Sequence, residues 1–87
     1  VVEGGIEAQT AAVLDHVTAV LETAGCTMSD VVKTFAILTS ASDFKAFNKV
    51  YATYFPVEPP ARTTVEAGLM AADIMVEIEA IAYKPIG

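Results

Sequence analysis

The feature of this 87-residue sequence that most constrains its fold is a near-continuous apolar run between two helical patterns. The run extends from Asp30 to Thr39, reads DVVKTFAILT, and is rich in β-branched and aromatic residues, which favour a strand. A strand with apolar side chains at successive positions is covered on both of its faces. The sequence therefore predicts a strand that is buried on both sides.

Two amphipathic helices flank this strand. The first extends from about Gly5 to Ala24, and Gly25 suits a left-handed cap at its end. Its face is lined at spacings of three and four by Ile6, Thr10, Val13, Val17, Val20 and Ala24. Ser40 and Asp43 have the spacing of a capping box at the start of the second helix. The aromatic stripe of that helix is interpreted as core packing; it consists of Phe44, Phe47, Tyr51 and Tyr54.

The last third of the chain predicts a β-hairpin, because residues 62–69 and 74–82 both alternate in polarity. The element order is then α-β-α-β-β, with helices on one face of a sheet. A turn near residues 70–73 would place Glu66 opposite Glu77, which is unfavourable. We expect the face away from the helices to carry Arg62, Glu66, Glu77 and Glu79. Either a cation, a ligand or a neighbouring subunit relieves these charges, or the face is simply hydrated.

The composition excludes several classes of function. Five Lys and Arg against 11 Asp and Glu give a net charge of −6, which disfavours a nucleic-acid binder. The single cysteine, Cys26, excludes an intrachain disulfide and a cysteine-based zinc site. We interpret it as a small packed residue, and His16 as a solvated residue without a catalytic role. No apolar run approaches the roughly 18–20 residues of a membrane span.

The proportion of hydrophobic residues predicts an oligomer. They make up 54% of the sequence and charged residues only 18%. A domain of this size has little interior in which to hide so many apolar side chains. We therefore expect an intracellular domain, part of whose surface is covered by another subunit.

Two segments near the C-terminus carry a resemblance to a known family. Residues 60–66, PARTTVE, and 76–82, VEIEAIA, resemble the paired signature of the RidA/YjgF/L-PSP family, the reactive intermediate deaminases. Further matches are AQT at 8–10, AG at 24–25, DVVKT at 30–34, DF at 43–44 and FNKVY at 47–51. The resemblance covers nearly the whole chain in order. It indicates one RidA-like domain over residues 1–87, without the N-terminal β-hairpin with which full-length members begin.

The resemblance implies both a fold and an activity. The fold is a chorismate-mutase-like α+β fold, with two helices on one face of a mixed sheet. Family members are homotrimers whose active-site clefts lie between subunits. They hydrolyse reactive enamines and imines such as 2-aminoacrylate and 2-iminobutyrate to 2-keto acids and ammonia, without a metal or cofactor. We therefore expect a 2-iminobutanoate/2-iminopropanoate deaminase in the cytoplasm or an organelle matrix, with an imine or keto acid as ligand and no nucleic-acid or membrane partner.

The resemblance also assigns site residues. Arg62 matches the arginine that binds the substrate carboxylate, a role that suits its planar fork of donors. Glu77 matches the glutamate that positions or activates water, and Asn48 matches an asparagine near the cleft. Thr64 stands where many members have a cysteine, so a thiol role is lost and a hydrogen-bonding role remains. From spacing alone, Arg62 could instead pair with Glu66 or Glu79, and Asn48 and Glu77 could be hydrated surface residues.

Two other functions stay open at this point. The first is a non-catalytic trimer that binds a small carboxylate or has a regulatory role. The second is an endoribonuclease or translation inhibitor, an activity attributed to some members of the family. The net charge of −6 and the absence of a basic tract argue against the second.

Overall fold

The computed structural model describes residues 5–85, which form two helices against one face of a three-stranded sheet. The elements are α1 (Ile6–Thr23), β1 (Val31–Leu38), α2 (Phe44–Tyr54), β2 (Ala61–Glu66) and β3 (Val76–Ala82). This confirms the predicted element order. The predicted domain boundaries, 1 and 87, fall outside the described residues. No helix between residues 5 and 85 is both long and apolar enough to cross a membrane.

The ends of the first two elements follow from local chemistry. Gly25 has a φ of +82°, as predicted for the residue that ends α1. A 3₁₀ turn over Met28–Asp30 then leads into β1. The Asp30 carboxylate accepts a hydrogen bond of 2.8 Å from the Thr27 N–H and so closes that turn.

The capping box predicted at Ser40 and Asp43 is wrong. The Ser40 hydroxyl bonds the Ser42 hydroxyl at 2.7 Å, and α2 has no side-chain cap. Glu66, at the end of β2, instead accepts a hydrogen bond of 2.6 Å from the Ala41 N–H. Glu66 thus satisfies one N–H of the 3₁₀ turn over Ala41–Asp43 that precedes α2.

The core lies between the helices and the sheet. Leu14 of α1, Phe47 of α2 and Ala36 of β1 are fully buried. Tyr51 of α2 is also buried, and its hydroxyl forms a 2.6 Å hydrogen bond with the Thr34 hydroxyl of β1. The buried polar groups of α2 and β1 are therefore paired across the layer, as burial of polar atoms requires.

The strand order is β2-β1-β3, so the predicted hairpin is wrong. β1 pairs with β2 in parallel and with β3 in antiparallel orientation. The connection between β2 and β3 passes the end of β1, where Ala67 N–H donates to Leu38 O and Thr39 N–H donates to Met75 O. β1 takes the central position because it is the strand whose residues are apolar on both faces.

The strand order also corrects the predicted pairing of two carboxylates. Glu66 pairs in register with Leu38, whereas Glu77 pairs with Ile37. β1 therefore separates Glu66 from Glu77, and the expected like-charge pair between them does not form. No cation, ligand or subunit is therefore needed to relieve a repulsion between these two carboxylates.

Each face of the sheet has its own set of side chains. Thr34, Ala36 and Leu38 of β1 are buried under the helices, and they pair in register with Arg62, Thr64 and Glu66 of β2. The expectation that Arg62 and Glu66 lie on the face away from the helices is therefore wrong. That outer face does carry Glu77 and Glu79, together with Phe35, Ile37, Val65 and Ile81. It is covered by no element within residues 5–85.

Candidate functional site

The candidate site is centred on Arg62, whose guanidinium lies against α2. Its Nη1 donates a 2.7 Å hydrogen bond to Oδ1 of Asn48. Its Cζ lies 4.7 Å from the ring centroid of Tyr51, 5.4 Å from that of Phe44 and 5.7 Å from that of Phe47. These distances are within the range of cation–π attraction. Three rings and one amide oxygen therefore fix the position of the guanidinium.

The helical period of α2 explains this arrangement. Residues at spacings of three, four and seven lie on one face of a helix. Phe44, Phe47, Asn48 and Tyr51 have these spacings, so α2 turns three rings and one amide toward β2. The prediction of core packing is confirmed for Phe47 and Tyr51, which are buried. Phe44 is 40% exposed and also contacts the arginine, a role that the spacing did not indicate.

Arg62 has no anionic partner within residues 5–85, where no carboxylate oxygen lies within 4.0 Å of it. The alternative pairing with Glu66 or Glu79 does not occur, because Glu66 bonds Ala41 and Glu79 lies on the other face of the sheet. A guanidinium has five N–H donors, and the Asn48 bond takes one of them. A half-buried cation without a counter-ion retains both charge and donors for an anionic ligand.

A cavity of about 160 Å³ shares Phe44 with this arginine, since Phe44 lines the cavity and also contacts the guanidinium. It is lined by Leu38, Ala41, Phe44, Thr64, Val65 and Glu66. Thr64 lies two residues from Arg62 along β2, so the two side chains share a face. The Thr64 hydroxyl is buried and has no hydrogen-bond partner among the described residues. Buried hydroxyls without partners are rare and costly, so this hydroxyl has a hydrogen-bonding capacity that no described residue uses.

Glu77 is not part of this cluster. It lies on the outer face of the sheet and is exposed. It lines a larger, mainly apolar groove of about 400 Å³ between α1 and β3, together with Gln9, His16 and Ile74. The structure therefore brings Arg62, Asn48 and Thr64 together and leaves Glu77 on the opposite side of the sheet.

Two features of the site were missed at the sequence level. The first is the hydrogen bond from the Ala41 N–H to the Glu66 carboxylate, because both residues line the cavity. The buried Gln9 side chain holds the connection before β3, since Nε2 donates to Asp73 O at 3.0 Å and Oε1 accepts from Met75 N–H at 2.8 Å. The position of Gln9 in the AQT segment was the only available signal for this role.

The other reactive side chains form no further site in the described part of the chain. Residues 5–85 contain no group of three or more His, Cys, Asp or Glu placed to hold a metal ion. His16 is exposed, as predicted, and Cys26 is half-buried after the end of α1. The chemistry available at the site is therefore that of one cation, one amide, one hydroxyl, the Glu66 carboxylate and an aromatic wall.

Comparisons with known proteins agree with the fold and with the signature segments. Residues 1–84 match the sequence model of the family described as Endoribonuclease L-PSP. A RutC family protein of Pyrococcus horikoshii is 45% identical over 84 residues, which are 97% of this chain and 67% of the relative. A RutC family protein of Saccharolobus solfataricus is 46% identical with the same coverage. This chain thus spans about two thirds of the length of these relatives.

Solved structures give the same result. The YjgF gene product of Escherichia coli superposes with a TM-score of 0.91 at 35% identity, over 98% of this chain and 69% of that one. A Mycobacterium tuberculosis member of the YjgF family superposes with a TM-score of 0.92 at 36% identity, over 95% of this chain and 71% of that one. The chain belongs to the RidA/YjgF/L-PSP family and has its chorismate-mutase-like fold.

Proposed function

We propose that this protein hydrolyses reactive enamines and imines of 2-amino acids to 2-keto acids and ammonia. The observation that carries the proposal is the Arg62 guanidinium, which is fixed by Asn48 and three rings and has no counter-ion within residues 5–85. Such a group is suited to the carboxylate that every 2-imino acid carries. Asn48 and the rings fix the guanidinium before the ligand arrives, so little ordering remains to be done on binding.

The chemistry makes modest demands on the protein. An enamine first becomes the imine by moving a proton from nitrogen to its β-carbon. Water then adds to the imine carbon, and cleavage of the carbon–nitrogen bond releases ammonia and leaves the keto acid. Imines hydrolyse in water unaided. The protein therefore needs mainly to orient the imine and to position a water molecule for attack. Arg62 holds the carboxylate, and the unpartnered Thr64 hydroxyl hydrogen-bonds the ligand. Glu77 accepts a hydrogen bond from the attacking water.

This assignment requires two chains. Arg62 and Glu77 lie on opposite faces of one sheet, so within a chain they cannot act on the same small molecule. In a homotrimer, Glu77 of one subunit would complete the Arg62 site of another. The outer face has the composition of such an interface, because apolar Phe35, Ile37 and Ile81 lie beside Lys33 and Glu79. We place this assembly in the cytoplasm or an organelle matrix.

A competition assay tests the proposal. An amino-acid oxidase generates 2-iminobutyrate in place, semicarbazide traps it, and the protein competes with the trap. We expect wild type to reduce the trapped fraction and Arg62→Ala to lower kcat/KM by about 100-fold or more. Lys45→Ala, at an exposed position on the same helix as Asn48, is the matched control and retains full activity. An Arg62→Ala variant as active as wild type would refute the proposal.

The same proteins separate the two alternatives. Saturable binding of 2-ketobutyrate that depends on Arg62, without turnover in wild type, would indicate a carboxylate-binding or regulatory protein. The family description favours endoribonuclease activity as a second candidate. The net charge of −6 is unfavourable for RNA, and the site offers a single arginine. RNA cleavage that survives purification and disappears in Arg62→Ala would support that candidate.

A further inference from the structure

We propose that Gln9 is a positioning residue for the reaction, because its side chain fixes the backbone that leads into β3 and thereby the carboxylate of Glu77. This inference rests on the proposed function, since it concerns the glutamate assigned to the attacking water. Gln9 lies on α1, and its side chain is buried. Within residues 5–85 its side-chain hydrogen bonds go to the chain just before β3, whereas the Arg62 guanidinium contacts α2.

The Gln9 amide uses both of its ends on this segment. Its Nε2 donates to Asp73 O at 3.0 Å, and its Oε1 accepts from Met75 N–H at 2.8 Å. A side-chain amide carries a donor and an acceptor together, so it can satisfy a backbone carbonyl and an N–H two residues apart. Residues 68–74 form no other hydrogen bond with the rest of the described chain. Gln9 is therefore the main anchor of the connection between β2 and β3.

This anchor lies directly beside the end of β3 that carries Glu77. Met75 is held at its N–H by Gln9 and at its carbonyl by the Thr39 N–H, at 3.1 Å. β3 begins at the next residue, and Glu77 is the second residue of the strand. Elements open locally at their ends more easily than in their middle. Gln9 therefore restrains the strand end on which Glu77 lies, and both residues line the groove between α1 and β3.

Loss of this anchor should slow the reaction without weakening substrate binding. A displacement of a reacting group by about 1 Å can lower a rate by about 100-fold. The substrate carboxylate binds at Arg62, which is fixed by Asn48 and the rings of α2 and not by Gln9. A Gln9 variant should therefore have a lower kcat and an unchanged KM, the pattern of an interaction that acts only in the transition state.

Two substitutions of Gln9 test this split with 2-iminobutyrate as substrate. Gln9→Met keeps the length of the side chain and loses both hydrogen bonds, and we expect kcat to fall by about tenfold with KM within about twofold of wild type. Gln9→Glu keeps an acceptor for the Met75 N–H, and we expect a smaller fall in kcat, of about threefold. Tyr54→Phe, which removes hydrogen bonds to α1 remote from β3, is the control and keeps the wild-type kcat.

Mixed trimers show on which half of the shared site Gln9 acts. Refolded with Arg62→Ala, Gln9→Met should give about one quarter of the wild-type rate, because about one quarter of the sites pair an intact Arg62 with a Glu77 that Gln9 positions. Refolded with Glu77→Gln, it should stay at about one twentieth, because each intact Glu77 is then in a chain without Gln9. The reverse pattern would assign Gln9 to the Arg62 half and overturn the inference.

The outcomes distinguish this inference from the proposed function. If wild type hydrolyses imines and folded Gln9→Met has the same kcat, the positioning role is wrong and the deaminase proposal stands. If wild type has no turnover, the deaminase proposal fails, and the ¹³C NMR signal of the Glu77 carboxyl group tests the positioning. A signal that shifts or broadens in Gln9→Met but not in Tyr54→Phe supports it. A signal identical to that of wild type in Gln9→Met overturns it.

Discussion

Arg62 and Glu77 lie on opposite faces of the same three-stranded sheet, on the two strands that flank β1. Arg62 pairs in register with Thr34, which is buried under the helices, whereas Glu77 pairs with Ile37 on the outer face. Side chains alternate between faces along a strand, so a single chain cannot direct both groups at one small molecule. Any reaction that uses both residues takes place between subunits.

Asn48→Asp should weaken ligand binding without harming the fold. The new carboxylate would lie where Asn48 Oδ1 now accepts a 2.7 Å hydrogen bond and would form an ion pair with Arg62. A ligand carboxylate must then compete with the introduced carboxylate for the Arg62 guanidinium. We therefore expect the dissociation constant for 2-ketobutyrate to rise by about tenfold or more. Calorimetric titration measures this constant, and thermal unfolding should show a Tm equal to or above that of wild type. Unchanged affinity would mean that the ligand does not bind at the guanidinium.

The hydrogen bond between Thr34 and Tyr51 should contribute to stability as a pair. Both residues are buried, and their hydroxyl oxygens lie 2.6 Å apart. Tyr51→Phe leaves the Thr34 hydroxyl buried without this partner, and we expect it to lower the free energy of unfolding by about 1–3 kcal/mol. Adding Thr34→Val should recover part of the lost stability, because no buried hydroxyl is then left without its hydrogen-bond partner. Urea unfolding of the four proteins in the cycle measures the coupling, and strictly additive effects would contradict it.

The contact between α1 and α2 should weaken at high pH. The Tyr54 hydroxyl shares its proton between Asp15 Oδ1 at 2.7 Å and Ala11 O at 3.2 Å. The hydrogen bond to Asp15, with smaller contributions from burial and from the charge of Asp15, raises the pKa of Tyr54 above its ordinary value of 10.0. A raised folded-state pKa stabilises the fold below the unfolded pKa, and this contribution is lost as pH rises through the folded value.

Tyr54→Phe tests this contact. We expect the variant to be less stable than wild type by about 1 kcal/mol at neutral pH, and this difference should shrink above about pH 10. Tyr83→Phe, at an exposed residue near the C-terminal end of the described chain, is the control and should match wild type in stability at neutral pH. A stability difference for Tyr54→Phe that stays constant from neutral pH to pH 11 would contradict the role of the shared proton.

The parts of the fold that follow from local patterns could be predicted from the sequence. The helical periods predicted α1 and α2, and the apolar run predicted β1. The buried surfaces followed only in part. Val20 of the predicted α1 face is exposed, the fully buried Leu14 lies outside that predicted set, and no element within residues 5–85 covers the outer face of β1, which was predicted to be buried. The pairing of β2 and β3 could not be read in this way. Strands adjacent in sequence usually pair, but here β1 lies between them, because only β1 has apolar side chains on both faces.

The resemblance named Arg62, Asn48 and Thr64 as site residues, but the arrangement of these residues could not be predicted. Alternation along β2 suggested a hydrated face for Arg62, because a charged side chain rarely packs beneath a helix. The rings of Phe44, Phe47 and Tyr51 reverse this preference by attracting the guanidinium, and the Asn48 oxygen accepts one of its protons. Such an effect arises from contacts between distant segments, which spacing within one strand cannot show.

Complementation between two inactive variants tests the central claim most directly. We expect Arg62→Ala and Glu77→Gln each to inactivate every site when made alone. Unfolded together in equal amounts and refolded, they should form mixed trimers in which about one quarter of the sites pair an intact Arg62 with an intact Glu77 of a neighbouring subunit. We predict recovery of about one quarter of the wild-type rate of 2-iminobutyrate hydrolysis. Mixed trimers, verified by mass, that stay as inactive as either variant alone would contradict a site shared between subunits.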